Sequence, residues 1–243
     1  MKVLQILGIL KNRWCLAIVN KNFLIQKVIM PPKNFFWADP FFFNHRNKKY
    51  VFYESYSYER KKGEIACGEF KNNNIINNKI ILKKNYHLSY PFIFKEHNNI
   101  SMVDTTILKI KKNIWLFTNQ LHKNINDFNK KLYIYKINNL KLGKIIPHSK
   151  NPVINKLKGG RNAGNIFKIG NKIIRPSQIN TNKKYGYGLK LSVIKKITLN
   201  EYKEKEIKLI LPMNKKISGI HHLSKINKDQ FIVDICLKYS KNN

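Results

Sequence analysis

The chain has 243 residues, room for one β-propeller or two small domains, and 43% of them are hydrophobic, including 14 Phe and 12 Tyr, which excludes a disordered chain. The formal net charge of +34 points to an anionic partner. The three cysteines, Cys15, Cys67 and Cys236, match no metal-ligand spacing and cannot all pair, so they read as buried thiols of a reducing, cytoplasmic compartment.

The elements follow in chain order. Residues 1–10 are apolar, but the run is short and closes on Lys11, Asn12 and Arg13 with no small-residue cleavage site. They read as a leading strand rather than a signal peptide or membrane span. Residues 14–19 and 23–29 are two further strands. A hairpin then spans residues 38–43 and 50–54 around a polar tip at 44–49, because two apolar runs flank turn-forming residues. Residues 64–70 and 75–82 supply its third and outer strands. The pattern returns at 89–94 with 100–102, and at once again at 103–108 with 114–117, backed by 132–137 and a strand near Ile145. A fourth copy spans 162–167 and 173–176, backed by 189–197 and 206–211. A fifth spans 220–224 and 231–234 and has only residues 236–243 behind it. No segment sustains a helical apolar period with caps.

A hairpin repeated at about 50 residues is the mark of a β-propeller. The fold expected is therefore all-β: one domain, 1–243, forming a five-bladed β-propeller. The N-terminal strands complete the last blade, so that no edge stays open. Counted from Pro40, the copies begin at Pro91, Thr105, Gly164 and His222. The second step is too short for a four-stranded blade, so the second blade is expected to be truncated.

The charge is carried almost wholly by lysine. Only Arg13, Arg46, Arg60, Arg161 and Arg175 offer the bidentate fork that phosphate and base readers favour. The lysines are scattered among many Asn and Ile, the composition an A/T-rich genome over-produces. A nucleic-acid partner is therefore not expected. A carbohydrate or glycolipid ligand carrying phosphate or acidic groups suits the charge.

Candidate site residues lie where each blade begins. Asp39 and Asp104 stand at equivalent repeat positions, and two carboxylates facing one cavity are what glycosidic chemistry requires. Each also has a plainer reading, as a carboxylate capping a turn at a blade start. Glu54 ends the second strand of the first hairpin, where it can face the pocket or pair with Arg60. His87, Ser89 and Tyr90 precede the second copy, and Arg161 and Asn162 precede the fourth. Arg175 and Gln178 end the fourth hairpin; Arg175 can clamp an anion or bridge to an aspartate. Tyr185 belongs to a glycine-hinged aromatic loop, Tyr185-Gly186-Tyr187-Gly188. His221 opens the fifth copy, and His221-His222 lacks the cysteines or further histidines of a zinc site. No phosphate-cradling loop, dinucleotide fingerprint or nucleophile elbow occurs, so no cofactor or metal is expected.

An ordered set of short motifs resembles a known family. They are Phe36-Trp37-Ala38-Asp39-Pro40-Phe41, Tyr53-Glu54, His87-Leu88-Ser89-Tyr90-Pro91, Val103-Asp104-Thr105-Thr106, Arg161-Asn162-Ala163-Gly164, Arg175-Pro176-Ser177-Gln178, Tyr185-Gly186 and Gly219-Ile220-His221. Together they are similar to the N-terminal domain of glucosamine inositolphosphorylceramide transferase, which looks like the five-bladed propellers of the family 43 glycoside hydrolases. The resemblance implies a sugar-handling pocket on the propeller axis with Asp39 and Asp104 as its acidic pair. It also implies that sugar transfer itself belongs to a separate catalytic domain. Relatives carry an Ile-Pro-Glu-type segment between the positions of Met102 and Val103, which this sequence lacks. If that glutamate is the general acid, what remains is a sugar-binding module. The function expected first is cleavage or rearrangement of a glycosidic bond in surface-polysaccharide or glycolipid metabolism. Asp39 would be base or nucleophile, Asp104 would orient the sugar, and Glu54 is a poor substitute for the acid. The sugar-binding module is the second reading and a polyanion-binding propeller the third.

Overall fold

The computed structural model describes residues 12–45, 47–91, 101–121, 129–139, 144–212 and 214–238. The leading strand expected at residues 1–10 and Arg46 lie outside them. Among the described residues there is no helix; the secondary structure is all β.

In chain order the strands are β1 (Asn12–Asn20), β2 (Ile25–Ile29), β3 (Phe35–His45), β4 (Lys48–Ser57), β5 (Lys62–Lys71), β6 (Asn74–Leu82), β7 (Ser101–Ile110), β8 (Asn113–Leu121), β9 (Lys131–Ile137), β10 (Ile145–Pro147), β11 (Ile154–Asn155), β12 (Lys158–Asn162), β13 (Phe167–Ile169), β14 (Lys172–Thr181), β15 (Lys184–Ile197), β16 (Tyr202–Ile210), β17 (Ile217–Gly219), β18 (Leu223–Lys225) and β19 (Gln230–Lys238). Among the described residues they form four antiparallel sheets of the propeller-blade type rather than five. The orders are β3-β4-β5-β6, β10-β9-β8-β7 with β11 on β9, β12-β14-β15-β16 with β13 on β14, and β17-β19-β1-β2 with β18 on β19.

The chain divides into two compact units. One is Met1–Pro91 with Leu211–Asn243; the other is Phe92–Ile210. In the first, β1 pairs with β19 over nine residues, from Asn12↔Lys238 to Asn20↔Gln230, so N-terminal strands do complete the sheet of the last hairpin. Its core joins Leu16, Ile18 and Ile29 to Trp37, Val51 and Tyr53. The second unit has its own core, built on Leu108, Trp115, Phe117, Leu132 and Ile134. In both, every second side chain of an inner strand points into the apolar layer.

The truncated second blade is corrected. Residues 101 and 102, expected as the return strand of the second hairpin, are the opening of β7, which runs unbroken through Val103 and pairs with β8 from Ser101↔Leu121. A continuous strand satisfies the backbone of Ser101 and Met102 through the ladder, which a two-residue return strand could not. The rest of that copy, residues 92–100, lies outside the described residues. A second correction concerns Tyr185 to Gly188. They are not a loop but the start of β15, whose turn closes tightly at Thr181↔Lys184. Gly186, at φ 62°, takes the left-handed step where the β14–β15 register slips.

The repeat is legible in the backbone itself. Asp39, Tyr90 and Asp104, each one residue before a counted repeat start, have φ of 52°, 48° and 49°. The β3 and β7 ladders bulge at the same place, between Ala38 and Phe41 and between Val103 and Thr106. In the last two hairpins the break widens, so the first strand splits into β12 and β13, and into β17 and β18. The kink tolerates Pro40 within β3, an edge strand that bulges there. In β3 and β7 it also takes Asp39 and Asp104 out of the paired register.

Candidate functional site

In the first unit the kink of β3 places Asp39 among groups from the end of the chain. Its own backbone N–H donates to Asp234 Oδ2 at 3.0 Å, and its Oδ2 accepts the Tyr90 N–H at 3.2 Å. Its Oδ1 lies 3.4 Å from His221 Nε2 and 3.4 Å from His222 Nδ1. Asp39 is 7% exposed, so its carboxylate sits in a nearly dry, polar nest. Phe41 packs edge-on against His222 and Tyr90, with ring centres 4.6 and 4.9 Å away, and Trp14 tilts against His221 at 4.3 Å.

Asp234 holds this nest together, and its role was not anticipated from the sequence. It is fully buried in the middle of β19. Its Oδ1 accepts the backbone N–H groups of His221 and His222 at 3.0 and 2.9 Å, and its Oδ2 faces His221 Nδ1 at 2.9 Å. The signal was present: Asp234 is the one charged residue in the run Phe231-Ile232-Val233-Asp234-Ile235-Cys236, and a carboxylate inside an apolar strand must be fully bonded. Asp39, His221 and Asp234 each bring an atom of metal-ligand type within 4.8 Å of the others. Three backbone N–H donors already occupy acceptor sites of Asp234, so the cluster is first of all a hydrogen-bonded nest.

Glu54 lies in the same unit. It pairs across the ladder with Ala38, beside the kink, and is buried. Its Oε1 stands 3.4 Å from His87 Nε2. The Gly63 N–H donates to His87 Nδ1 at 3.1 Å, which puts the ring proton on Nε2, facing Glu54. Burial pushes the His87 pKa down, against the pull of the Asp39 charge. Only glycine fits at position 63, since a Cβ there would lie 2.4 Å from the Leu88 carbonyl and 2.7 Å from Glu54 Oε1. Ser89 is exposed and Tyr90 buried. Glu54 does not pair with Arg60, which instead binds Glu64 at 2.8 Å.

In the second unit Asp104 has a different companion. Its Oδ2 is bonded directly by Arg161 Nε, and Arg161 also donates to Asn129 Oδ1 at 2.9 Å. The guanidinium lies 4.8 Å over the ring of Tyr185, so ion pair and cation–π contact fix it together. Asn162 is a backbone clasp: its amide nitrogen donates to the Asp104 carbonyl at 2.9 Å, and its N–H donates to Asn119 Oδ1 at 3.0 Å. Gln178 is buried and accepts from Asn180 at 3.3 Å.

Arg175 has no exposure at all. It donates to both oxygens of Glu204, at 2.8 and 3.1 Å, to the Gly159 carbonyl at 2.6 Å and to Asn162 Oδ1 at 3.1 Å. Lys190 and the Tyr202 hydroxyl complete the shell of Glu204 at 2.9 and 2.6 Å. Burial alone would raise the Glu204 carboxyl, but the Arg175 charge and its hydrogen bonds overcome it and hold the group at about 2. The partner of Arg175 is thus an outer-strand glutamate, signalled by the alternation Tyr202-Lys203-Glu204-Lys205-Glu206, which turns Glu204 inward. All three cysteines are free and buried, and burial pushes the Cys15 thiol up to about 12. No helix of the described residues is long and apolar enough to cross a membrane.

Comparison with known proteins bears on these residues. The chain is similar to glucosamine inositolphosphorylceramide transferase 1 of Oryza sativa subsp. japonica, 28% identical over 229 residues. The corresponding Arabidopsis thaliana protein is 26% identical over 222 residues. Each match covers 76% of this chain and 29% of the relative, so the chain spans under a third of the length of these curated relatives. Among solved structures, an α-L-arabinofuranosidase from Lactobacillus brevis is 14% identical, with a TM-score of 0.41, over 91% of this chain and 74% of that one. A thermostable family-43 glycoside hydrolase is 14% identical, with a TM-score of 0.40, over 85% and 73%. Both likenesses are distant and bear no weight here. The family described as "Glucosamine inositolphosphorylceramide transferase 1, N-terminal" matches residues 25–104 and 99–227, so that Asp39, Tyr90, His221 and His222 and the Asp104–Arg161 pair fall within it, while Asp234 lies beyond it. The chain belongs to that family.

Proposed function

We propose that this chain is a carbohydrate-recognition domain, binding the sugar portion of a glycolipid or surface polysaccharide without cleaving it. One observation carries the reading: Asp104, the expected partner of Asp39, is consumed by Arg161. A carboxylate oxygen bonded to a clamped guanidinium has its lone pairs engaged and is not free to face a sugar. Glu54 is in turn engaged by His87. In the first unit, the kinked backbones at Asp39 and Tyr90 set a buried carboxylate beside a buried tyrosine and two imidazoles, groups that suit a site built to hold hydroxyls. The names of the relatives support a sugar-bearing lipid as the ligand class. Free, buried thiols suit a reducing compartment, so the cytoplasm is the proposed location.

A second reading is cleavage of a glycosidic bond with Asp39 as base. It is favoured by the Asp39 carboxylate, which faces two imidazoles rather than a cation. One experiment separates the two: an immobilised glycan and glycolipid panel scored for both retention and sugar release, with wild type and Asp39→Asn. Recognition predicts retention, no sugar release, and an affinity for Asp39→Asn within about threefold, roughly 0.7 kcal/mol. Sugar release that Asp39→Asn abolishes would establish the second reading instead.

A further inference from the structure

Away from Asp39, the first unit contains a cavity of about 300 Å³ formed by β3, β4, β5 and β6 with the turn at Arg60. Its floor is apolar, with Phe35, Trp37 and Tyr53, and Trp37 and Tyr53 pack tilted at 4.8 Å between ring centres. Its rim is cationic, with Arg60, Lys79 and Lys83.

Glu64 lies at the heart of this cavity with its side chain 1% exposed. Its Oε2 accepts from Arg60 at 2.8 Å. Its Oε1 faces Lys83 Nζ at 3.6 Å, beyond hydrogen-bond reach, and makes no hydrogen bond. A buried carboxylate oxygen without a donor is costly, and a hydroxyl of an incoming ligand would satisfy it. Three cations against one carboxylate leave the rim with an excess positive charge, and Lys83 and Arg60 are 60% and 41% exposed at their side chains. The rim therefore calls for an anion, the apolar floor for a ring, and Glu64 for a hydroxyl. The volume is at the small end of ligand pockets, which start at about 300 Å³.

We propose that this cavity binds a small phosphorylated polyol of the sugar-phosphate class, its phosphate held by Arg60, Lys79 and Lys83 and one hydroxyl by Glu64. The site is separate from Asp39 and does not depend on the recognition reading above. The scattered lysines of the rest of the chain would bind any polyanion; this cavity discriminates, because it asks for hydroxyl and phosphate in one molecule.

The test is calorimetric titration of the whole chain with glucose 6-phosphate, inorganic phosphate and glucose, in wild type, Lys79→Ala/Lys83→Ala and Glu64→Gln. Glucose 6-phosphate binds wild type at least about tenfold more tightly than either fragment. The double lysine variant, changed only at the rim, weakens glucose 6-phosphate by about tenfold. Glu64→Gln removes an anion beside the phosphate-binding cations, so inorganic phosphate binds no more weakly than to wild type, while the preference for glucose 6-phosphate over inorganic phosphate falls. If Glu64→Gln fails to fold, the lysine variant decides alone. Equal affinity for inorganic phosphate and glucose 6-phosphate, an unaffected lysine variant, or no heat at about 10 mM ligand would each overturn the proposal. None of these outcomes touches the Asp39 reading, which the glycan panel decides.

Discussion

Asp39 and Asp104 occupy the same place in the repeat, on the same kind of bulged inner strand, with φ of 52° and 49°. Their surroundings differ. Asp39 is met by the Tyr90 N–H and two imidazoles, and its backbone is pinned by a second carboxylate, Asp234. Asp104 is met by a guanidinium that is itself clamped by Asn129 and Tyr185. The backbone of the repeat delivers a carboxylate, and the neighbouring strands decide whether it stays adaptable or becomes a strut. Hydrogen-bonding partners that can themselves gain or lose a proton keep a site responsive. An arginine, always charged, does not.

The sharpest way to break this comparison is to strike the ion pair beneath the second unit. Arg175→Ala leaves Glu204 buried beside Tyr202 with only Lys190 as counter-charge. It should cost about 3–5 kcal/mol of stability, read as a lower urea midpoint. The pH dependence follows from the same pair. Because the folded Glu204 is held at about 2, below the ordinary carboxylate value of 4.5, its contribution is fully present above pH ~4.5 and is lost as pH falls toward ~2. A wild-type acid denaturation curve that is flat across that window would show that the pair is not what stabilises the unit.

Next in size is Asp234→Asn. The amide keeps the shape but loses the charge that three backbone N–H groups and His221 address, so stability should fall by about 2–3 kcal/mol. The loss should appear in the first unit, as faster amide hydrogen exchange at Asp39, His221 and His222. Unchanged exchange at these three would mean that the nest is held by packing, not by hydrogen bonds, and the contrast with Asp104 would lose its basis.

The smallest effect concerns His87. Burial lowers its folded-state pKa below the ordinary 6.5, so the unfolded chain binds the proton first. Stability is then full above pH ~6.5 and declines as pH falls from there through the folded value. The side chain is 48% exposed, so the slope should be shallow, and His87→Gln should reduce it, leaving the share of His148, whose pKa burial also lowers. A thermal-melt series between pH 7.5 and 5.5, in about unit steps, would show it.

Much of the fold was legible because β-hairpins are local. Apolar runs flanking polar tips placed β3 with β4, β7 with β8, and β13 with β14, and the left-handed residues at 39, 90 and 104 fall where the repeat count put the blade starts. The second copy misled because its short run, residues 100–102, is apolar enough to read as a strand of its own, while continuity with Val103 was cheaper for the backbone. Tyr185 misled because glycine signals both loops and bulges. Partners across long sequence separations left little trace. Asp39 and Asp234 are 195 residues apart, and no local pattern links them.

By itself the sequence determined an all-β chain, the repeated kink, and the residue types offered at each blade start. Periodicity and turn chemistry act over a few residues and are written there. Only the tertiary structure decided what each of those residues meets: Asp39 its histidines, Asp104 its arginine, Arg175 an outer-strand glutamate, and Glu64 a cavity that leaves one of its oxygens without a donor. A buried charge is defined by its neighbours, and in an antiparallel fold completed by strands from opposite ends of the chain, those neighbours are set by the packing of the sheets.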